Sequence, residues 1–297
     1  MSSIDSLAGG FIESYSIGCI FYGIAISQGY VYFRTCERDP LWMKWMAGTV
    51  LVLETFHTAF YLRQMYFYTA RAVANPLNLG TVDWSVSICL VLEIVIEMIV
   101  DVFYIHRMWS FTKNVVLAAF MVLILLARHA TFLYIAAQTA ISESWVDFER
   151  PVMKANVLST LCLVIVLDIT VASTMVYYLN RGRSAMRRTR GVVTWLVMYY
   201  VNTGVIMAAL AVAILIAYLA VPGSLLYAGF INIYAKVMAN SIFGALNSRQ
   251  VLRAKMAAPV IIDTNAYAHE PTSYGMDSIR VEVSRETRKT IELLDKS

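Results

Sequence analysis

Glu93, Glu97 and Asp101 lie at i, i+4 and i+8 within an otherwise apolar stretch from Trp84 to His106. A helix there carries all three along one side. Carboxylates so spaced can pass a proton, hold a cation, or pair with bases on neighbouring helices. Each costs roughly 2.5 to 3.5 kcal/mol at the centre of a bilayer, whereas each large aliphatic side chain returns only about 0.3 to 0.6 kcal/mol. The acidic side must therefore face other helices, water or a cation, or carry protons.

Further ionisable and polar groups fall at the same depth when residues are counted from the ends of the other apolar stretches. These are Glu54 and His57, then Arg128 and His129, then Asp168, then Asn202 with Thr203, and finally Lys236. Together with Glu93 and Glu97 they form one predicted layer of four acids, two fixed bases and two histidines. Three chemistries suit such a layer. It can be a polar pocket for a zwitterion or amphiphile, or a proton or ion path. It can also be a metal site, since Glu54 and His57 at i, i+3 share a helix face. A second Glu-x-x-His is missing, so no metal or cofactor is expected. The structural alternative is a salt-bridge network that only fixes helix packing. Asp101, His106 and Arg107 sit towards the end of their stretch and are expected to mark the membrane interface. Lys236 invites comparison with the Schiff-base lysine of retinal proteins, but Asn232 stands where an acid would balance it.

The elements that must position this layer are apolar segments of spanning length. The chain has 297 residues, 59% hydrophobic and 15% charged, with mean hydropathy +0.62. A soluble domain carries about 25% charged residues. Seven spans are predicted at 11–33, 45–67, 84–106, 115–137, 157–179, 193–218 and 225–246, each near the roughly 20 residues that cross a bilayer. The fold class expected is an all-α integral membrane bundle of seven helices.

Arg34, Arg38, Lys44, Arg107, Lys113, Arg181, Arg183, Arg187, Arg188, Arg190, Arg249, Arg253 and Lys255 fall in one set of connectors, and only Arg71, Arg150 and Lys154 in the other. The positive-inside rule puts the richer set in the cytosol, with the N-terminus outside and the plasma membrane as the expected site. Arg181, Arg183, Arg187, Arg188 and Arg190 form the densest basic patch, suited to anionic lipid headgroups or a cytosolic signalling partner. The expected partners are thus the bilayer, its anionic headgroups and a cytosolic protein, with no nucleic acid. Residues 251–297 read as a polar, mostly disordered cytosolic tail. Within it Ile279, Val281 and Val283 alternate with Arg280, Glu282 and Ser284, a pattern able to add a strand to a partner sheet. Cys19, Gly23 and Ser27 form a small-residue stripe on the first span, the kind that admits a close helix neighbour.

Seven spans bring G-protein-coupled receptors to mind, but the third span ends Tyr104-Ile105-His106-Arg107, without an acid–Arg–aromatic triplet. The seventh lacks an Asn-Pro-x-x-Tyr sequence. A different resemblance runs from about Tyr22 to Arg253. It rests on Asp39-Pro40-Leu41-Trp42, Leu53-Glu54-Thr55-Phe56-His57, Asn75-Pro76 and Arg107-Met108-Trp109. It continues with Asp168 followed by Tyr177-Tyr178-Leu179, Arg188-Thr189-Arg190, Asn202-Thr203-Gly204, Ala239-Asn240-Ser241 and Leu246-Asn247-Ser248-Arg249. In these pieces the chain resembles a family of seven-pass membrane proteins of mushroom-forming fungi, catalogued as a domain of unknown function. The resemblance implies architecture and, by analogy of span count, a receptor-like role. Acids at 93 and 97 are not typical of that family, which often has Asp in place of Glu54.

The leading expectation is a receptor-like or sensory membrane protein with a polar pocket between its helices. The alternative is a proton-coupled transporter or channel using the mid-membrane carboxylates. No Gly-rich phosphate loop, nucleophile–base spacing or cysteine–histidine cluster points to an enzyme.

Overall fold

A computed structural model describes residues 2–36, 39–182, 190–221 and 226–257, with side chains described over 13–36, 39–75, 77–110, 112–178, 203–221 and 226–248. The described residues form no strand. Seven long helices account for most of them: α1 Ser2–Thr35, α2 Leu41–Tyr66, α3 Trp84–Thr112, α4 Val115–Ile141, α5 Pro151–Gly182, α6 Arg190–Ala220 and α7 Leu226–Ala257. The third predicted span runs on to Thr112 rather than stopping at 106, and the seventh runs on to Ala257 rather than 246. The predicted strand pattern at 279–283 and the rest of 258–297 lie outside the described residues.

Local chemistry sets the helix ends. Asp83 starts α3 by accepting from the Ser85 N–H at 3.1 Å. Lys113 ends it in a left-handed conformation (φ 54°), with its N–H donating to the Trp109 carbonyl at 2.8 Å. Asn114 then caps α4 by accepting from the Leu117 N–H at 3.1 Å. This two-residue turn forces α3 and α4 antiparallel. Pro151 opens α5, where a missing N–H costs nothing.

Each long helix packs on the next in sequence, and α7 returns to α1, closing a ring. α3 also reaches across to α5 and α7, so it is the inner member. Ile96, Val100, Phe103 and Met108 of α3 are buried, as are Met238, Ala239, Ile242 and Phe243 of α7. The outward faces are hydrocarbon instead: Val52 and Phe56 on α2, Leu123 and Leu126 on α4, Ile216 and Leu219 on α6 are all exposed. Four described helices are long and apolar enough to cross a membrane, over Glu13–Thr35, Val115–Ile141, Pro151–Tyr178 and Thr203–Ala220. The other three, α2, α3 and α7, carry Glu54, His57, Glu93, Glu97 and Lys236 of the predicted layer, and that content lowers their apolarity.

At one end of the bundle two connectors join. Residues 67–83 make a π turn at Phe67–Arg71 and a 3-10 turn at Pro76–Gly80, and a second 3-10 turn spans Trp145–Glu149. The Val82 N–H donates to the Glu143 carbonyl at 3.1 Å, beside an isolated bridge between Thr81 and Ser144. The Tyr68 hydroxyl donates to the Thr81 carbonyl at 3.0 Å, and its ring lies 6.3 Å from that of Trp145. Arg63 donates to Asp83 at 3.3 Å, with its guanidinium 4.4 Å from the centre of the Trp84 ring.

The small-residue stripe on α1 faces the wrong way for packing. Gly23 and Ser27 are exposed, and a Cβ on Gly23 would meet nothing within 4 Å. The close approaches are at Gly18, where an added Cβ would stand 2.7 Å from Tyr61 Cε1, and at Gly29, where it would stand 2.6 Å from Leu51 Cδ1. On the side towards α7, Asn240 Nδ2 donates to the Phe21 carbonyl and Asn247 Nδ2 to the Gln28 carbonyl, each at 2.9 Å. Donors one heptad apart thus meet carbonyls one heptad apart. Such hydrogen bonds between membrane helices average about 0.6 kcal/mol each.

Tyr61 cannot yield at Gly18, because its hydroxyl donates to Ser14 at 3.1 Å and its ring lies 4.2 Å from that of Tyr15. Gly18→Ala is expected to destabilise the purified protein by about 1 to 3 kcal/mol through overpacking. Gly23→Ala should be neutral or slightly stabilising. Thermal unfolding in detergent separates the two, and equal effects would contradict the packing described.

Candidate functional site

The described side chains of the predicted layer face inward. Glu54, His57, Glu93, Glu97, Arg128 and Lys236 are at most 2% exposed, and His129 is buried. All but His129 join different helices. Lys236 Nζ on α7 donates to Glu54 Oε2 on α2 at 2.6 Å and to Thr58 Oγ1 at 2.8 Å. His57 Nε2 on α2 lies 3.1 Å from Glu93 Oε1 on α3. Arg128 on α4 bridges two turns of α3: one terminal nitrogen binds Glu97, and the other binds Asp101 Oδ2 at 2.5 Å. Asp168 on α5, half-buried, accepts from the Tyr234 hydroxyl on α7 at 2.8 Å. His129 turns back to its own helix, with Nδ1 2.9 Å from the Leu125 carbonyl.

Asp101 corrects the expectation. It does not mark the interface. It is 4% exposed and shares Arg128 with Glu97. The reason lies in the spacing already visible in sequence. A side chain two turns beyond Glu93 lies on the same inward side, and α3 continues another eleven residues, so Asp101 is well inside its helix. The layer therefore holds five acids rather than four against two fixed bases. Thr58 and Tyr234 were also missed. Thr58 stands one turn after Glu54 and Tyr234 two residues before Lys236, but hydroxyls on apolar helices carry no signal that singles them out.

Glu54 and His57 share a helix turn yet take different partners. Among the described residues no group of three His, Cys, Asp or Glu side chains is placed to hold a metal. The side chain of Asn202 lies outside the described residues, as do those of Arg181, Arg183, Arg187, Arg188 and Arg190. Its neighbour Thr203 is described, and lines a cavity.

Two cavities flank the Arg128 group. The larger, about 100 Å³, opens between α3, α4, α5 and α7 in the half of the bundle nearest the joined connectors. Its walls are Phe132, Ile135, Leu161, Val164 and Ile231, with Trp145 and Phe148 towards the connectors and Glu93, Glu97, Arg128 and Tyr234 at the deep end. Space of that size holds several waters or one compact ligand. The smaller, about 40 Å³, lies in the opposite half and is lined by Asp101, Asp168, Thr203 and Ser241. The pairs Arg128–Asp101 and Tyr234–Asp168 each join a side chain of one cavity to a side chain of the other. Lys236 lines neither cavity, so it offers no open amine for a Schiff base there.

A family model described as a family of unknown function (DUF6534) matches residues 164–251. That stretch covers most of α5, all of α6 and most of α7, and includes Asp168, Tyr234 and Lys236. No curated protein and no solved structure matches the chain.

Removing one member of a buried pair strands the other charge, at a cost of about 3 to 5 kcal/mol, whereas replacing both with apolar groups approaches neutrality. Glu54→Leu and Lys236→Met should each lower stability by that much, and the double variant by far less than their sum. Thermal unfolding of all four proteins gives the coupling energy. Additive losses would mean that the two side chains are not partners.

Proposed function

We propose that the chain is a sensory, receptor-like membrane protein whose seven long helices cross the bilayer and whose larger cavity receives a small ligand. One observation carries this reading: an apolar cavity ends at buried, partnered charges inside a bundle whose outer surface is hydrocarbon. Lipid-facing walls keep the site in the membrane, and the joined connectors place its mouth at one end. α2, α3 and α7 have 26, 29 and 32 residues, each long enough to span at about 1.5 Å per residue. Their charges point inward, which supports counting them with the four apolar helices.

In this reading the N-terminus and the joined connectors face outside and the 180–190 connector faces the cytosol. The plasma membrane is the proposed location. Arg181, Arg183, Arg187, Arg188 and Arg190 then contact anionic headgroups and a cytosolic signalling partner. Occupying the cavity acts on Glu97 and Arg128. Through Tyr234 and Asp168 the effect reaches α5 and α6, between which that connector runs.

The smaller cavity favours a second reading, a proton-coupled carrier. Two cavities separated by Arg128, Tyr234, Asp101 and Asp168 are the arrangement a gated path needs.

Topology is read by an impermeant maleimide: a cysteine at Glu143 should label on intact cells, and one at Ser110 only after permeabilisation. In proteoliposomes the sensory reading predicts no proton flux. Flux abolished by Glu97→Gln or Asp168→Asn would establish the carrier instead.

A further inference from the structure

The larger cavity has a chemical bias that the proposed sensory role leaves open. Glu93 is 1% exposed and lines the cavity. Only Oε1 is engaged, by His57, while Oε2 is buried without a hydrogen-bond partner. A buried carboxylate oxygen without a partner costs about 1 to 3 kcal/mol or more, so a donor that reaches it is strongly favoured. The other charges at this depth are spoken for: Arg128 is divided between Glu97 and Asp101, and Lys236 is held by Glu54 and Thr58. At the deep end Glu93 and Glu97 stand against one guanidinium, that of Arg128, which Asp101 also shares, so fixed positive charge is short there. Beyond it the walls at Phe132, Ile135, Leu161 and Val164 offer only hydrocarbon.

We propose that this cavity selects a compact amphiphilic amine, with its ammonium group on Glu93 Oε2 and its hydrocarbon body against Leu161 and Val164. The assignment rests on the sensory reading above for the existence of a ligand site, and adds the ligand's charge and shape. An ammonium group supplies up to three donors and the missing positive charge at once. An alcohol of the same length supplies one donor and no charge. A carboxylate adds like charge beside Glu93 and Glu97 and is excluded. The cavity's size limits the body to a short chain or a single small ring.

The test uses three probes of equal length: pentylamine, pentan-1-ol and pentanoate. Each is titrated by ligand-observed NMR against the full-length protein in phosphatidylcholine nanodiscs, with empty nanodiscs subtracted. Pentylamine is expected to bind saturably and at least tenfold more tightly than pentan-1-ol, with no binding of pentanoate. Glu93→Gln should reduce that preference to less than twofold, with folding checked by thermal unfolding. Leu161→Trp, which fills the cavity, should abolish binding of every probe. Equal affinity for amine and alcohol in the wild-type protein overturns the assignment without needing any variant to fold. If that equal binding is still lost in Leu161→Trp, the ligand cavity stands and only its charge preference is wrong. If no probe binds saturably to the wild-type protein, the amine assignment and the cavity reading fall together.

Discussion

Charge cannot stay unpaired in hydrocarbon, and α3 carries three carboxylates on one side. That constraint decides where α3 goes. Each acid must meet a base or a donor from another helix, so α3 has to be surrounded rather than placed at the lipid edge. Arg128 from α4 and His57 from α2 approach it from two sides. α7 faces the same problem in the opposite sign, since Lys236 is fully buried and needs Glu54 of α2. α2 is thus held to α3 by one pair and to α7 by another. The outer helices α1, α4, α5 and α6 have few such obligations and keep faces that hydrocarbon solvates.

The same constraint leaves room for the cavities. Long polar side chains reach between helices at one level of the bundle. Above and below that depth the neighbours are branched aliphatics and aromatics, which do not fill the gap completely. On the side of the joined connectors, Trp145 and Phe148 lie over the gap instead of being inserted between the helices. α1 and α7 show the opposite case. Asparagines at a heptad spacing bind carbonyls of the facing helix directly, which draws the two backbones together.

Much of this was legible from residue types alone. Helix number, the inward side of α3 and the depth of Glu54, His57, Glu93, Glu97, Arg128 and Lys236 follow from hydropathy and the 3.6-residue period. Pairing did not follow, because periodicity gives the face a residue occupies and not the neighbour across from it. Glu54 and His57 look like one site in sequence and serve two different helices in the bundle. Depth counted from a helix end at 106 puts Asp101 near the interface, whereas α3 runs six residues further, to Thr112. The stripe of Cys19, Gly23 and Ser27 misled for a different reason: small residues tolerate close contact but do not require it. The contact at Gly18 depends on Tyr61, 43 positions away, which no local pattern on α1 encodes.

Arg128 uses its two terminal nitrogens on different carboxylates a turn apart, rather than forking onto one. Its Nε has no partner. A forked pair would be a self-contained unit, whereas this one is a strut between α4 and two turns of α3. Moving the guanidinium strands both acids together, so intermediate positions are costly and the strut is effectively held or released as a whole. Glu97 faces the larger cavity and Asp101 the smaller, so the strut is also what stands between them. Arg128 closes the deep end of the larger cavity, beyond Phe132 and Ile135 of the same helix. Releasing Arg128 means parting it from both acids at once. Two simultaneous buried charge losses make that release rare, so the strut holds α4 and two turns of α3 as one unit.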